Sequence, residues 1–231
     1  MKPSFIYFDL DDTLLDHRHA ERLALADVCR DYEATFGRFE LARVQETYHR
    51  FNTDLWERYG RGDLSKADLK RLRFERLLEA LAANDAAPEA LSDHYMACYA
   101  RHWAYVEGAR EAFLAVADRY RVGILTNGFS EVQQAKLERF PELLERIDVL
   151  VVSEEVGYMK PDARIFAHAA EAAGAAPGEI LYVGDSYGSD VRGALGAGWR
   201  AAWFRGDPGR VEGEPDAFCF DRWEELPGRL D

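Results

Sequence analysis

The chain has 231 residues, 48% of them hydrophobic and 31% charged, with a formal net charge of −13. That size and composition suit one large domain, or a core with a smaller insertion, and exclude a disordered or fibrous chain. The charge is uneven, with 14 basic and 15 acidic residues from His17 to Tyr105 against 15 and 27 elsewhere, so no general nucleic-acid or membrane surface is expected, and an anionic substrate needs a metal or a few placed donors.

In chain order, residues 4–9 form an apolar run ending in acid, too short for a helix and suited to a buried strand. It leads into Phe-Asp-Leu-Asp-Asp-Thr-Leu, where Asp9, Asp11 and Asp12 crowd together. Like charges at that spacing repel and require a cation or a proton. From about residue 18 the apolar period becomes helical. Leu25, Val28, Cys29, Tyr32 and Phe36 share a face, as do Leu41, Val44, Tyr48, Phe51 and Leu55, then Phe74, Leu77, Leu78 and Leu81, then Leu91, Tyr95, Cys98, Tyr99 and His102. Breaks at Gly37, at Gly60 and Gly62, and from Asn84 to Pro88 separate these stretches into a small helical unit.

After Gly108, strand candidates at 121–126, 148–152, 179–184 and 199–204 alternate with helical stretches near 130–140, 162–174 and 187–197. This predicts an α/β fold, a doubly wound parallel sheet with helices on both faces. The first strand precedes the helical unit and the others follow it. Residues 1–16 and 106–231 are therefore expected to form the core and residues 17–105 an inserted helical cap. Cys29, Cys98 and Cys219 are scattered and form no Cys-x-x-Cys pair, which argues against a disulfide framework and a zinc site and leaves them as buried apolar groups. No signal-like region opens the chain and no apolar run approaches the ~18 residues of a membrane span, so a cytoplasmic protein is expected.

Ligands of open parallel sheets bind beyond the carboxyl ends of the strands. Those ends carry Asp9 and Asp11, then Thr126-Asn127-Gly128, then Asp185-Ser186. Asp9 to Thr13 begins like a calcium loop, but Leu14 and Ala20 stand where glycine and glutamate are needed. Gly193 and Gly198 have P-loop spacing, yet Trp199-Arg200 follow in place of Lys-Ser/Thr. Taken singly, an aspartate pair reads equally as a turn, Thr126 as a helix cap, Lys160 as a solvated side chain, and Gly184 to Asp190 as a capped turn.

Together, Asp-x-Asp-x-Thr, a strand ending Thr-Asn-Gly, Lys160-Pro161 and Gly-Asp-x-x-x-x-Asp resemble the haloacid dehalogenase-like hydrolase superfamily over nearly the whole chain. Residues 52–59, 125–130 with Gln133-Gln134, and 152–157 are similar to its pyrimidine 5'-nucleotidase branch. The resemblance implies a Rossmann-like core and a phosphatase acting on a small phosphorylated metabolite, a nucleoside 5'-monophosphate first, with sugar phosphates or phosphoglycolate as alternatives. It implies Asp9 as nucleophile and Asp11 as acid and base. It also implies Mg2+ on the Asp9 and Asp185 carboxylates and the Asp11 carbonyl, with phosphate held by Thr126, the Asn127 N–H and Lys160. Pro161 is expected to set the lysine's direction and begin the next helix. Asp190 is expected to orient Lys160 or a metal-bound water, with a first-turn helix acid as the competing reading, and Ser186 to touch a metal ligand or cap a helix. Asp12 and Thr13 are read as turn-shaping residues.

Substrate choice is expected to rest on Asn52, Trp56, Tyr59 and Arg73 of the cap and on Phe129, against simple packing for Trp56 and Tyr59. A 2-haloacid dehalogenase is disfavoured because halide leaves without a proton and family dehalogenases lack an aspartate at the place of Asp11. A receiver-like phosphoacceptor domain is disfavoured because the attacking acid lies on the first strand.

Overall fold

The structure is a computed structural model that describes residues 2–83 and 85–230. Two compact units emerge: one runs to Asp16 and resumes at Ala104, and the other is His17–Trp103. The second boundary falls before Ala104 rather than after Tyr105. The physical reason is pairing with the segment after the first strand: Asp16 N–H donates to Ala104 O at 2.9 Å, Leu15 bridges Tyr105, and Val106 N–H donates to Leu14 O at 3.0 Å.

The first unit contains β1 (Phe5–Phe8), α6 (Ala109–Ala117), β2 (Arg121–Thr126), α7 (Ser130–Arg139), α8 (Pro141–Leu144), β3 (Val149–Val152), α9 (Ser153–Val156), α10 (Ala163–Ala173), β4 (Ile180–Gly184), α11 (Arg192–Gly196), β5 (Arg200–Phe204), β6 (Ala217–Phe220) and α12 (Leu226–Arg229). Among the described residues the strands form one parallel sheet in the order β3-β2-β1-β4-β5-β6. In the register, Phe8 lies opposite Ile124 on one side and Val183 on the other, so the ends of β1, β2 and β4 come level. The order reverses at β1, where a doubly wound sheet opens its crevice.

Both faces of β1 are buried, because its side chains alternate between two cores. Ile6 and Phe8 join Phe113, Leu137, Val183 and Trp223, while Phe5 and Tyr7 join Phe166, Tyr182 and Trp199. The Tyr7 and Trp199 rings stack at 5.4 Å, and the Tyr7 hydroxyl donates to Ala169 O at 2.7 Å. β6 was not anticipated. Its four residues are too few to show a period, and three of them are only half-buried.

Two expected helix starts also differ. α10 begins at Ala163, because the Asp162 side chain caps it by accepting from Arg164 N–H at 2.9 Å. Pro161 therefore lies in the turn before the helix, after a cis Lys160–Pro161 bond. The stretch expected to be helical over 187–197 opens with a wide turn, Tyr187–Val191, before α11.

The second unit contains α1 (His17–Asp31), α2 (Glu33–Phe36), α3 (Leu41–Gly60), α4 (Lys66–Leu81) and α5 (Pro88–Arg101). α1 packs on α5, α3 on α4 and α4 on α5, burying the periodic residues Leu25, Val28, Tyr48, Leu55, Phe74, Leu77, Leu91 and Tyr95. Ser65 and Asp68 close a capping box at the start of α4. Asn84, read above as part of a break, lies outside the described residues. Cys98 is buried as expected, whereas Cys29 and Cys219 are half-buried, and all three thiols are free. No described helix is long and apolar enough to cross a membrane.

Asp27 on α1 meets His102 Nε2 at 2.7 Å, Arg101 Nη2 at 3.0 Å and Arg30 Nη1 at 2.7 Å. The hydrogen bond from His102, then those from the two arginines, hold its carboxyl well below the usual range. A depressed folded pKa gives stability that is present above the unfolded value of ~3.9 and is lost as pH falls. Thermal melts should therefore show Asp27→Asn less stable than the parent at pH 7, with the difference narrowing as pH falls below about 4.

Candidate active site

Three strand ends deliver the polar groups. Asp9 follows β1, Thr126 closes β2, and Asp185 follows β4. Lys160 reaches them from the loop before α10, and its ammonium is the hub. Nζ lies 2.9 Å from Asp9 Oδ1 and 2.9 Å from Asp190 Oδ1, and it donates to the Tyr182 hydroxyl at 2.5 Å. The Tyr182 hydroxyl in turn donates to Leu125 O at 2.6 Å. The side chain of Lys160 is 1% exposed, so these partners, rather than water, decide its charge. Burial works against that charge, but Asp190 and Asp9 outweigh it and hold the lysine's pKa above its ordinary value.

The backbone of Lys160 is fixed as firmly as its head. Asn127 Nδ2 donates to Lys160 O at 3.0 Å, and Lys160 N–H donates to Asn127 Oδ1 at 2.9 Å. Asp190 is buried, and its Oδ2 accepts from Ser186 N–H at 2.9 Å while Oδ1 accepts from the Ser189 hydroxyl at 3.1 Å. Gly184 leaves room for it, since an added Cβ would sit 2.6 Å from Asp190 Cγ. Ser186 caps the following turn, accepting from Ser189 N–H at 3.4 Å. Asp185 is placed by Trp203, whose Nε1–H donates to its carbonyl at 2.7 Å.

Acids outnumber cations here. Burial, opposed by Lys160 and assisted by Asp190 and Asp11, raises the Asp9 pKa to about 7. Burial, then Asp9, Asp190 and Asp12, raise that of Asp185 to about 8. Oxygens of Asp9, Asp185 and Asp190 lie within 4.8 Å of one another. A crowded, under-neutralised set of hard oxygen donors fits Mg2+ in ligand type. Asp190 is already committed to Lys160 and to Ser186, which leaves Asp9 and Asp185 as the carboxylates best placed to hold it.

Asp11 is held by a different cation. Lys136 Nζ contacts its two carboxylate oxygens at 2.6 and 2.8 Å, and Gln133 Nε2 donates to Asp11 Oδ2 at 3.0 Å and to Thr126 Oγ1 at 2.8 Å. Gln133 and Lys136 lie three residues apart on one face of α7, and both are buried. Neither was assigned a site role from sequence. Their i, i+3 spacing on the helix that follows Thr126 was the available signal. Tyr182 was hidden more thoroughly, because it alternates in β4 as a strand-core residue would. Thr13, read as a turn residue, is fully buried, and its hydroxyl donates to Asp185 Oδ1 at 3.3 Å. Asp12 does shape the turn, with a left-handed φ of 58°.

Of the specificity candidates, Phe129 is buried at the start of α7, and its carbonyl accepts from Val132 and Gln133. Within the helical unit Trp56 and Tyr59 meet edge to face at 5.6 Å, and Asn52 and Arg73 are buried. Removing the hub should be costly. Lys160→Met leaves Asp9 and Asp190 buried without their cation, which should lower unfolding free energy by roughly 3–5 kcal/mol in denaturant titrations run with chelator.

Comparison with known proteins places this geometry. The family model for haloacid dehalogenase-like hydrolases matches residues 5–198. The chain is 35% identical to pyrimidine 5'-nucleotidase YjjG of Escherichia coli, covering 88% of this chain and 86% of that protein. It is 34% identical to a phosphoserine phosphatase of Thermus thermophilus, covering 92% of each. A magnesium-bound crystal structure of the HAD-hydrolase YfnB from Bacillus subtilis superposes with a TM-score of 0.84 at 26% identity, covering 100% of both chains. With a family match spanning most of its length, and with Asp9 and Asp190 both held by Lys160, the chain belongs to the haloacid dehalogenase-like hydrolase family.

Proposed function

We propose that the chain is a magnesium-dependent phosphatase that hydrolyses a small phosphate monoester through an aspartyl-phosphate, with nucleoside 5'-monophosphates, pyrimidine ones first, as substrates. The observation that carries this reading is the division of the two motif carboxylates between two cations, Asp9 on Lys160 and Asp11 on Lys136. Separate anchors give two acids of one loop separate tasks. A dehalogenase needs only the first of them, because halide departs without a proton.

In the proposed reaction Asp9 attacks phosphorus, the bond from phosphorus to the ester oxygen breaks, and Asp11 gives that oxygen its proton. Water then attacks the phosphoryl-Asp9, Asp11 takes up the water's proton, and phosphate leaves with the Asp9 carboxylate restored. Lys160, the Thr126 hydroxyl and the Asn127 N–H hold the phosphoryl oxygens. Gln133 and Lys136 fix where Asp11 points. When bound by Asp9, Asp185 and the Asp11 carbonyl, Mg2+ neutralises the crowded acids and draws an anionic substrate to an acidic protein. Asp190 orients Lys160, and Ser186 supports Asp190. The helical unit supplies substrate choice, with Asn52, Arg73, Trp56 and Tyr59 as its candidates. The free, scattered cysteines agree with a cytoplasmic setting.

The substrate preference is supported by the likeness to YjjG. A second reading, phosphoserine as substrate, is favoured by the likeness to the Thermus enzyme. Phosphate release across pyrimidine and purine monophosphates, sugar phosphates, phosphoglycolate and phosphoserine decides between them, with turnover expected only when Mg2+ is present. Asp9→Asn should abolish turnover and leave the circular dichroism spectrum unchanged; retained activity contradicts the nucleophile assignment. Lys136→Met should lower kcat by roughly 10²-fold with a smaller change in KM, because it frees Asp11 to point elsewhere.

A further inference from the structure

The last turn of α1 and the middle of α5 bring three metal-ligating side chains of different kinds to one place. Asp31 comes from α1, and His94 and Cys98 lie one turn apart on α5, which packs against it. A carboxylate oxygen, an imidazole nitrogen and the Cys98 sulfur lie within 4.8 Å of one another. None of the three belongs to the strand-end site. The sequence signal sought for zinc, a Cys-x-x-Cys pair, does not reach this group. Its one thiol is joined instead by an imidazole on the same helix face and by a carboxylate from another helix.

Each ligand is oriented by a neighbour outside the group. Asp31 Oδ2 meets His94 Nε2 at 2.9 Å, while its Oδ1 accepts from Arg30 Nε at 3.1 Å. The Tyr32 ring meets the His94 ring edge to face at 5.5 Å. Arg101 Nη2 donates to Cys98 Sγ at 3.2 Å and to Asp27 Oδ2 at 3.0 Å. A guanidinium aimed at a sulfur stabilises a thiolate more than a neutral thiol. The side chains of His94 and Asp31 are 32% and 34% exposed, whereas Cys98 is fully buried, so an ion can enter from solvent and meet the sulfur on its inner side. With bonds of about 2.0–2.3 Å, the ligand atoms of a tetrahedral zinc site stand roughly 3.3–3.7 Å apart, and these three atoms already lie close to that spacing.

We propose that Asp31, His94 and Cys98 bind a transition-metal dication, zinc by ligand chemistry, with a fourth position left to water, and that the ion clamps α1 to α5. Sulfur and imidazole select a softer ion than Mg2+, which takes oxygen donors. Burial, opposed by Arg101, pushes the Cys98 thiol up, so the metal displaces a proton as it binds. The S–H bond breaks, the proton goes to water, and the electron pair left on sulfur forms the bond to the metal, with no change of oxidation state. Asp31 supplies Oδ2 as a carboxylate, and His94 supplies Nε2 with its own proton on Nδ1. The two anionic ligands then balance the dication, and Arg101 keeps its hydrogen bond to the sulfur.

The test is a Co2+ titration of the full chain, stripped with chelator and returned to saturating Mg2+, followed by absorbance. A thiolate-to-cobalt charge-transfer band in the near ultraviolet reports sulfur ligation, which the oxygen donors of the strand-end site do not provide. The band should saturate at one Co2+ per chain and fade when Zn2+ is added. Cys98→Ser should abolish it, and Cys29→Ser and Cys219→Ser should keep it. His94→Ala and Asp31→Ala change half-exposed side chains, so they should keep the fold and weaken Co2+ binding about tenfold or more. Zn2+ should raise the melting temperature of the parent and not that of His94→Ala. Absence of the band from the parent overturns the site, and so does a band that survives Cys98→Ser. A band that needs Cys98 but is indifferent to both His94 and Asp31 overturns the three-ligand assignment.

Discussion

Everything at the strand ends depends on one buried ammonium. Lys160 sits between Asp9 and Asp190, and without it the sheet would gather carboxylates from two neighbouring strands into a dry crevice with nothing to offset them. Its position is fixed at both ends. Asn127 holds its backbone with a reciprocal pair of hydrogen bonds, and Tyr182 holds its head while donating to the carbonyl of Leu125. The lysine thus ties β1, β2 and β4 together through side chains, in addition to the ladder that pairs their backbones.

One lysine does not balance the acids it faces. The carboxyls of Asp9 and Asp185 are both raised, chiefly by burial and then by neighbouring acids, Asp190 and Asp11 for Asp9 and Asp9 and Asp190 for Asp185. This imbalance answers the question posed by the sequence Asp9-Leu-Asp-Asp12, where repulsion calls for a cation. Within the protein, Lys160 answers it for Asp9 and Lys136 for Asp11, and the remaining excess matches the chemistry of a magnesium site. The second lysine matters most to the proposed mechanism, because it gives Asp11 a cation of its own, separate from the one that holds Asp9.

The alternation of strand and helix after Gly108 and the interruption by helical periods were both legible in the sequence, and they place Asp9, Thr126 and Asp185 at adjacent strand ends. β6 was not legible, because four residues, three of them half-buried, carry no measurable period. Pro161 was misread as a helix start because its fixed φ suits one, whereas Asp162 is the residue whose side chain caps the helix. In the site, residues marked by motif were legible and those marked by a face were not. Gln133 and Lys136 look like ordinary polar positions on a surface helix until α7 is packed against the strand ends. Tyr182 reads as one more apolar residue of β4, and its hydroxyl gains meaning only when Lys160 arrives from the loop before α10. The group of Asp31, His94 and Cys98 went unremarked for a related reason: its carboxylate comes from another helix, and the three meet through packing rather than through local pattern.

The central claim is that Asp9, held by Lys160, takes up the phosphoryl group. A single turnover on uridine 5'-monophosphate with Mg2+, quenched in acid and analysed by peptide mass spectrometry, tests it directly. The account predicts one phosphoryl group on the peptide containing Asp9, located at that residue and absent from Asp9→Asn. Phosphate release with no phosphoryl-enzyme at any quench time, or a phosphoryl group found on Asp11 instead, would contradict it.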